Sequence, residues 1–192
     1  YKRQVYIGTE DDQLIPQKVL EYSILKNAKR PVRVRAVKQE VERVGGTNFG
    51  FVRFFVPKLN NYQGKAIYLD ADQLVFTDIN ELADLLDDEH SIALVNQPKG
   101  TFGVKPVGQH NQTSVMVMDC AQLQDWNPDT MFQHVVPNRT ELAPGQIHYR
   151  DFMMLSWFDQ NKIQPIDPRW NHFNIVEPDS KLTHFSYVRS QP

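Results

Sequence analysis

The sequence has few of the features that mark secreted or membrane-spanning proteins. It has a single cysteine, Cys120, so it cannot form an internal disulfide, which favours a reducing compartment. No apolar run approaches the roughly 18 residues that a membrane-spanning helix needs. The first residues show no signal-peptide pattern. We therefore expect a cytoplasmic protein with no transmembrane segment.

The sequence also has little net charge. It carries 21 basic and 23 acidic residues, a net charge of -2, so no general positive field would attract nucleic acid. Its 192 residues are 41% hydrophobic and 23% charged, which fits a globular domain with a hydrophobic core. No repeat, linker or low-complexity tract divides the chain. We therefore expect residues 1–192 to form one domain.

Strand and helix patterns alternate along the chain. Strand patterns occupy residues 4–10, 31–39, 65–76, 91–97, 113–123 and 182–188. Helical patterns occupy residues 11–28, 49–59, 78–86, 129–136 and 149–158, and Asp11 or Asp12 is expected to cap the first of them. Residues 163–174 are rich in proline and are expected to be irregular. The repeated β-then-α order predicts an α/β fold with a mainly parallel sheet covered by helices on both faces.

Two carboxylates stand out in the stretch KAIYLDADQLVF, residues 65–76. Asp70 and Asp72 are two positions apart, so in an extended chain they share one face. If the strand ends near Leu69, both emerge at its C-terminal edge, where open α/β sheets bind ligands. Two close carboxylates raise each other's pKa unless a cation or a proton lies between them. The pair therefore indicates a metal site or acid chemistry.

Two kinds of site chemistry fit this pair. In one, the carboxylates hold Mg²⁺ or Mn²⁺, which neutralises a substrate diphosphate. In the other, Asp70 is the nucleophile of a Mg²⁺-dependent phosphohydrolase and Asp72 is its acid/base partner. Haloacid-dehalogenase-like phosphatases place this motif near the start of the domain and need a later acidic pair at a strand end. Here a complete βαβ unit precedes the pair, so the phosphohydrolase is the second choice.

Five segments together resemble the family-eight glycosyltransferases, the group that includes glycogenin and bacterial lipopolysaccharide galactosyltransferases. They are YIGTEDDQLIPQKVLEYSI at 6–24, FVRFFVPKLNNYQGKAIYLDADQLVFTDINEL at 51–82, SVMVMD at 114–119, PRWNHFN at 168–174 and THFSYVRSQP at 183–192. The second segment is the most specific, and the match spans nearly the whole chain.

The resemblance implies a GT-A fold, a Rossmann-like domain that binds a nucleotide sugar. It implies a retaining hexosyltransferase that uses a divalent cation, Mn²⁺ or Mg²⁺, and a donor that is usually a UDP-sugar. The acceptor would be a hydroxyl of a saccharide, a lipid or a protein. A non-catalytic nucleotide-sugar-binding module on the same fold is the third alternative.

The resemblance also implies roles for individual residues. The metal ligands would be Asp70, Asp72 and His184. Two catalytic residues are implied, Asp151 on the sugar's other face and Arg53 beside the donor. The donor-binding positions would be Thr9, Asp11, Gln13, Arg53, Asp70, Ala71, Asp72 and Gln112.

Three departures from the family pattern affect these roles. Phe152 follows Asp151 where the family has glutamine, and the segment NQTS places Gln112 and Ser114 where the family has asparagine and glycine. In the terminal motif, either Arg189 or Gln191 would take the place of the family's lysine, or neither would. The sequence therefore does not identify the sugar.

Overall fold

The computed structural model describes residues 2–39, 48–102, 105, 106, 108, 110–138, 140 and 142–187. The strands in chain order are β1 (Arg3–Gly8), β2 (Val32–Val37), β3 (Lys65–Asp70), β4 (Gln73–Val75), β5 (Ile92–Val95), β6 (Thr101–Phe102), β7 (Lys105–Pro106), β8 (Gln112–Asp119), β9 (Val135–Val136), β10 (Ile147–His148), β11 (Ile163–Pro165), β12 (His172–Phe173) and β13 (Leu182–His184).

The α-helices are α1 (Leu14–Asn27), α2 (Asn48–Val52), α3 (Val56–Leu59), α4 (Ile79–Ala83) and α5 (Tyr149–Met153). Short 3-10 helices cover Asp11–Gln13, Arg53–Phe55, Cys120–Gln122, Gln160–Lys162 and Pro168–Trp170. Within the described ranges, no helix has both the length and the apolar character required to cross a lipid bilayer.

The central sheet has six strands in the order β2-β1-β3-β8-β5-β11. Strand β1 is parallel to both β2 and β3, and β11 is parallel to β5. Strand β8 is antiparallel to its two neighbours, β3 and β5. The predicted mainly parallel mixed sheet is confirmed, with β8 as the single reversed strand in the described sheet. Because β8 is reversed, it begins at the edge where β1 and β3 end.

Alternation along the strands divides the core into two layers, since successive side chains point to opposite faces. Tyr6 and Tyr68 face the layer that contains Phe51, Phe54 and Phe152. Ile7 and Leu69 face the layer that contains buried residues of α1 and α4. Helices therefore cover both faces, as predicted for a sheet of this kind.

A second, three-stranded sheet joins distant parts of the chain in the order β12-β13-β4. Strand β13 is antiparallel to β4, and His184 lies opposite Gln73. A hydrogen bond from Phe185 N to Asp72 O of 2.8 Å extends the contact past the strand ends. This small sheet brings the end of the described chain to the turn that follows β3.

Several local expectations were wrong. The helix expected at 129–136 is a run of turns followed by β9, because Phe132 packs against Phe51 and Phe54, with ring centroids 5.2 and 6.0 Å away. The helix expected at 149–158 ends at Met153. The N-cap of the first helical turn is Glu10 rather than Asp11 or Asp12. The Glu10 N–H donates to the Gln13 side-chain oxygen at 3.2 Å.

The segment 163–174 was expected to be irregular, but it contains β11, a 3-10 helix and β12. Strand β11 extends the edge of the central sheet by pairing with β5. Pro165, at the end of β11, is compatible with this place because an edge strand leaves one row of N–H groups unpaired. Tertiary pairing therefore overrides the local signal from proline.

We predict that Gly8→Ala lowers the free energy of unfolding by about 1–3 kcal/mol, the usual cost of overpacking. A Cβ atom on Gly8 would lie 2.2 Å from Tyr68 Oη and 2.9 Å from the Tyr68 ring. Urea unfolding measures the change. The control is Gly108→Ala, whose nearest contact would be 3.8 Å, from His110. Equal stability of the two variants would contradict this packing.

Candidate active site

The two predicted carboxylates lie at the C-terminal edge of the parallel strands. Strand β3 ends at Asp70, which is in register with Gly8 at the end of β1. Ala71 is fully buried, and its N–H donates to Gly8 O at 3.1 Å, which fixes the turn into β4. Asp70 and Asp72 therefore emerge at the edge where ligands bind in open α/β sheets.

Asp70 is buried but well supplied with hydrogen-bond donors. Arg53 Nη2 lies 3.0 Å from Asp70 Oδ1 and 3.2 Å from Oδ2. Tyr68 Oη donates to Asp70 Oδ1 at 2.7 Å. Burial raises the pKa of Asp70, and the Arg53 charge opposes that shift. Burial also raises the pKa of Tyr68 well above its ordinary value, so the phenol remains a hydrogen-bond donor.

Arg53 is held by a network within the protein. Its Nε donates to Gly50 O at 2.6 Å, and its Nη1 donates to Thr113 Oγ1. Thr113 Oγ1 in turn donates to Met153 O at 2.7 Å. The guanidinium carbon lies 5.1 Å from the centre of the Tyr68 ring. All three guanidinium nitrogens of Arg53 therefore have hydrogen-bond partners within the protein.

Asp72 and His184 form the second half of the site. His184 Nε2 lies 3.1 Å from Asp72 Oδ1, and the His184 ring packs on Phe173 at 4.6 Å between centroids. Burial disfavours the charged form of both groups. The charge and the hydrogen bond of the partner group favour the charged form more strongly. The pKa of Asp72 is lowered and the pKa of His184 is raised. Each group therefore favours the charged form of the other.

These three side chains have the chemistry and spacing of a cation site. A carboxylate oxygen of Asp70, a carboxylate oxygen of Asp72 and a ring nitrogen of His184 all lie within 4.8 Å of one another. Among the described residues, His184 Nδ1 is buried without a hydrogen-bond partner. A buried polar atom of this kind is costly unless a ligand or an ion satisfies it. Two carboxylates and an imidazole suit Mn²⁺, and the carboxylates suit Mg²⁺.

The predicted nucleoside-binding turn lies at the same edge of the sheet. Thr9 follows β1 directly; it is buried, and its N–H donates to Val37 O at 3.1 Å. Asp11 is exposed and paired with Lys38. Gln13 is half-buried with its side-chain oxygen on the Glu10 N–H. The turn therefore combines one anchored residue with two side chains that face solvent wholly or in part.

Gln112 is half-buried at the first position of β8, beside Thr113. Two amides lie behind this position, and both donate to Ser114. Gln73 Nε2 donates to Ser114 O at 2.9 Å, and Asn171 Nδ2 donates to Ser114 Oγ at 3.0 Å. They tie the start of β8 to β4 and to the segment before β12.

Asp151 lies half-buried in the first turn of α5, and the structure connects this helix to the Arg53 network through Met153. Phe152 is a core residue. Its ring packs on Phe54 at 4.7 Å and stacks on Trp157 at 5.1 Å between centroids. An apolar core side chain therefore stands where the family pattern has glutamine. Arg189 and Gln191, the predicted lysine replacements, lie outside the described residues.

Sequence reasoning missed three residues that shape the site. Tyr68 shares a face with Asp70 because it is two positions earlier in the same strand, a signal that could have been used. Gly8 leaves room for the Tyr68 hydroxyl. Thr113 links Arg53 to α5. No sequence signal pointed to this link, since it depends on the reversed direction of β8.

The model of one protein family, described as glycosyl transferase family 8, matches residues 4–187. A relative from Arabidopsis thaliana, Protein CDI, is 27% identical over 214 residues, which cover 98% of this chain and 78% of that protein.

Solved structures share the fold. The galactosyltransferase LgtC, crystallised with donor and acceptor sugar analogues, has a TM-score of 0.66 and 11% identity, covering 96% of this chain and 87% of its own. The glycosyltransferase GlyE of Streptococcus pneumoniae TIGR4, in its apo form, has a TM-score of 0.66 and 17% identity over 98% of this chain. The match covers 55% of GlyE, so the chain spans about half the length of that protein. These likenesses establish a GT-A fold.

We predict that Arg53→Met lowers the free energy of unfolding by about 3–5 kcal/mol, because it leaves the buried Asp70 carboxylate without its cation. Chemical denaturation measures the loss. The control is Arg30→Met, which removes an arginine from an exposed pair with Asp84 and should cost less than about 1 kcal/mol. Asp70→Asn added to Arg53→Met should recover part of the loss. Similar small losses for both arginines would contradict a buried ion pair.

Proposed function

The chain belongs to glycosyl transferase family 8, and from this premise we propose that it moves a hexose from a UDP-sugar to an acceptor hydroxyl with retention of configuration. We propose that the reaction depends on Mn²⁺ or Mg²⁺. The observation that carries the proposal is the convergence of Asp70, Asp72 and His184 within 4.8 Å at the ligand-binding edge of the sheet. Family membership favours glycosyl transfer over the phosphohydrolase alternative.

The proposed metal ligands are Asp70, Asp72 and His184. A divalent cation bound there would neutralise charge on the diphosphate of the departing nucleotide. The buried His184 Nδ1, which lacks a hydrogen-bond partner among the described residues, supports this assignment. Arg53 and Tyr68 would fix the orientation of Asp70, as outer-shell partners do for metal-binding carboxylates.

The proposed nucleoside-binding residues are Thr9, Asp11 and Gln13, with Ala71 and Gln112 as further donor contacts. Their support is the family resemblance and their common place at the edge where β1 and β3 end and β8 begins. The exposed Asp11 carboxylate can accept hydrogen bonds from ribose hydroxyls, and the half-buried Gln13 has an amide nitrogen that can donate to a base.

We propose that Arg53 is a positioning residue rather than a direct catalytic one. Its donors already bond to Asp70, Gly50 and Thr113. Asp151 remains the proposed group that steadies positive charge on the transferred sugar. Because Phe152 is apolar, Asp151 would act without a glutamine beside it. The acceptor hydroxyl, on a saccharide, a lipid or a protein, would approach from the same edge.

The phosphohydrolase would use Asp70 as a nucleophile that attacks phosphorus. Both oxygens of Asp70 lie within hydrogen-bond distance of Arg53, and one also accepts from Tyr68, an arrangement that would orient the carboxylate in either reaction. The family match is therefore what favours the transferase. The non-catalytic module predicts nucleotide binding without turnover, and hydrolysis assays with UDP-sugars separate it from the transferase.

The first test is thermal unfolding with UDP, with Mn²⁺ and with both, using GDP plus Mn²⁺ as the control. We expect the largest stabilisation with UDP and Mn²⁺ together, since each completes the binding site of the other. A ligand at a hundred times its Kd stabilises the folded state by about 2.7 kcal/mol. Equal shifts with UDP and GDP would contradict a uridine donor, and no shift with any combination would contradict the site.

We predict that Asp72→Asn abolishes the joint UDP and Mn²⁺ shift, because it removes a charged ligand while keeping the size of the side chain. The matched control is Asp78→Asn. Asp78 caps α4 through a hydrogen bond from Asn80 N at 3.0 Å, and asparagine serves equally well as a cap. The control should keep the full shift. A full shift in Asp72→Asn would overturn the metal assignment.

A further inference from the structure

Helix α1 is apolar on two opposite sides. Its inner side places Leu20 and Ile24 in the core. Its outer side exposes Leu14 by 56%, Ile15 by 73%, Tyr22 by 64% and Leu25 by 52%. In a helix of 3.6 residues per turn, these four side chains fall within one third of the circumference. Scattered exposed apolar residues need no explanation, but a continuous face on one helix indicates an interaction surface.

The edge of this face that carries the two leucines has a pattern that is unchanged when the helix is reversed. Leu14, Lys18, Glu21 and Leu25 form one stripe with spacings of four, three and four residues. Read from either end, the stripe has a leucine, two charged residues and a leucine. The charges are opposite, and Lys18 Nζ lies 2.8 Å from Glu21 Oε2 within the helix. A two-fold axis through the middle of the stripe would exchange Lys18 with Glu21.

We propose that α1 pairs antiparallel with α1 of a second copy of this chain, about a two-fold axis between positions 19 and 20. Leu14 would pack on the partner's Leu25, and Lys18 would face the partner's Glu21. Ile15 and Tyr22 lie on the same flank of the stripe, so Ile15 would meet the partner's Tyr22. Each contact occurs twice, as an isologous interface requires. The proposal is independent of the transferase activity.

Charge complementarity favours a second copy over an anionic membrane surface. Glu21 lies midway along the stripe of Leu14, Lys18, Glu21 and Leu25, at the edge of the apolar face, and is paired with Lys18. A negatively charged bilayer would repel Glu21, whereas the reversed helix presents it with a lysine. A charged pair between two leucines also fixes the register of the two helices.

Cross-linking tests the register. We would prepare Leu14→Cys and Leu25→Cys as separate variants, in the background of a native cysteine, Cys120, that is buried. Oxidation of the mixture should give a disulfide dimer, because positions 14 and 25 of different copies would be adjacent. Neither variant alone should cross-link, because like positions would lie about 16 Å apart along the axis. A parallel arrangement would give the opposite result and would overturn the proposal.

Charge reversal tests the affinity. By sedimentation equilibrium, Lys18→Glu should raise the dimer dissociation constant at least about tenfold, because it places two glutamates opposite each other twice. Lys18→Glu with Glu21→Lys should restore the dimer. The matched control is Lys58→Glu, which also reverses an exposed lysine paired with an acid, Asp129. It should leave the dimer unchanged, and circular dichroism checks the fold of each variant.

Three results would overturn the proposal. The chain could be monomeric at all concentrations, it could be a dimer that Lys18→Glu leaves intact, or the double variant could fail to restore association while remaining folded. A monomer that binds vesicles of phosphatidylserine through this face would identify a membrane as the occupant instead.

Discussion

The site depends on one buried ion pair. Asp70 ends a central strand, so the fold places a carboxylate among apolar side chains, where an isolated charge is unfavourable. Arg53 supplies the opposite charge and Tyr68 supplies a further donor. Burying such a pair contributes little net stability, but breaking it is costly. The pair therefore acts less as a source of stability than as a constraint that fixes which way the carboxylate faces.

The same constraint links separate parts of the chain. Arg53 comes from the segment between two short helices, Thr113 from the start of the reversed strand and Met153 from the end of α5. Hydrogen bonds join the three in series. A change in any of these elements would move Asp70, because interiors are packed too densely to absorb a shift locally. The packing of the core therefore determines the position of the Asp70 carboxylate.

Strong periodic patterns made the frame of the fold predictable. The alternation of β1, α1 and β2 and the apolar run before Asp70 identified the parallel sheet and the edge that carries the carboxylates. The family resemblance, rather than any sequence spacing, predicted that His184 lies beside Asp72. The largest failures were at 129–136 and 163–174, where short strands and turns form only through pairing with distant segments. Phe132 illustrates the cause. Its spacing suggested a helix, but its ring packs in an aromatic cluster with Phe54 and Phe152.

Strand β13 closes the site across a long stretch of chain. Asp72 and His184 are separated by most of the sequence that forms the second half of the central sheet. Bringing together residues so distant in sequence closes a large loop, which costs conformational entropy. The proposed donor set is therefore coupled to the pairing of β13 with β4, and a molecule in which this strand is undocked would hold two aspartates without the histidine.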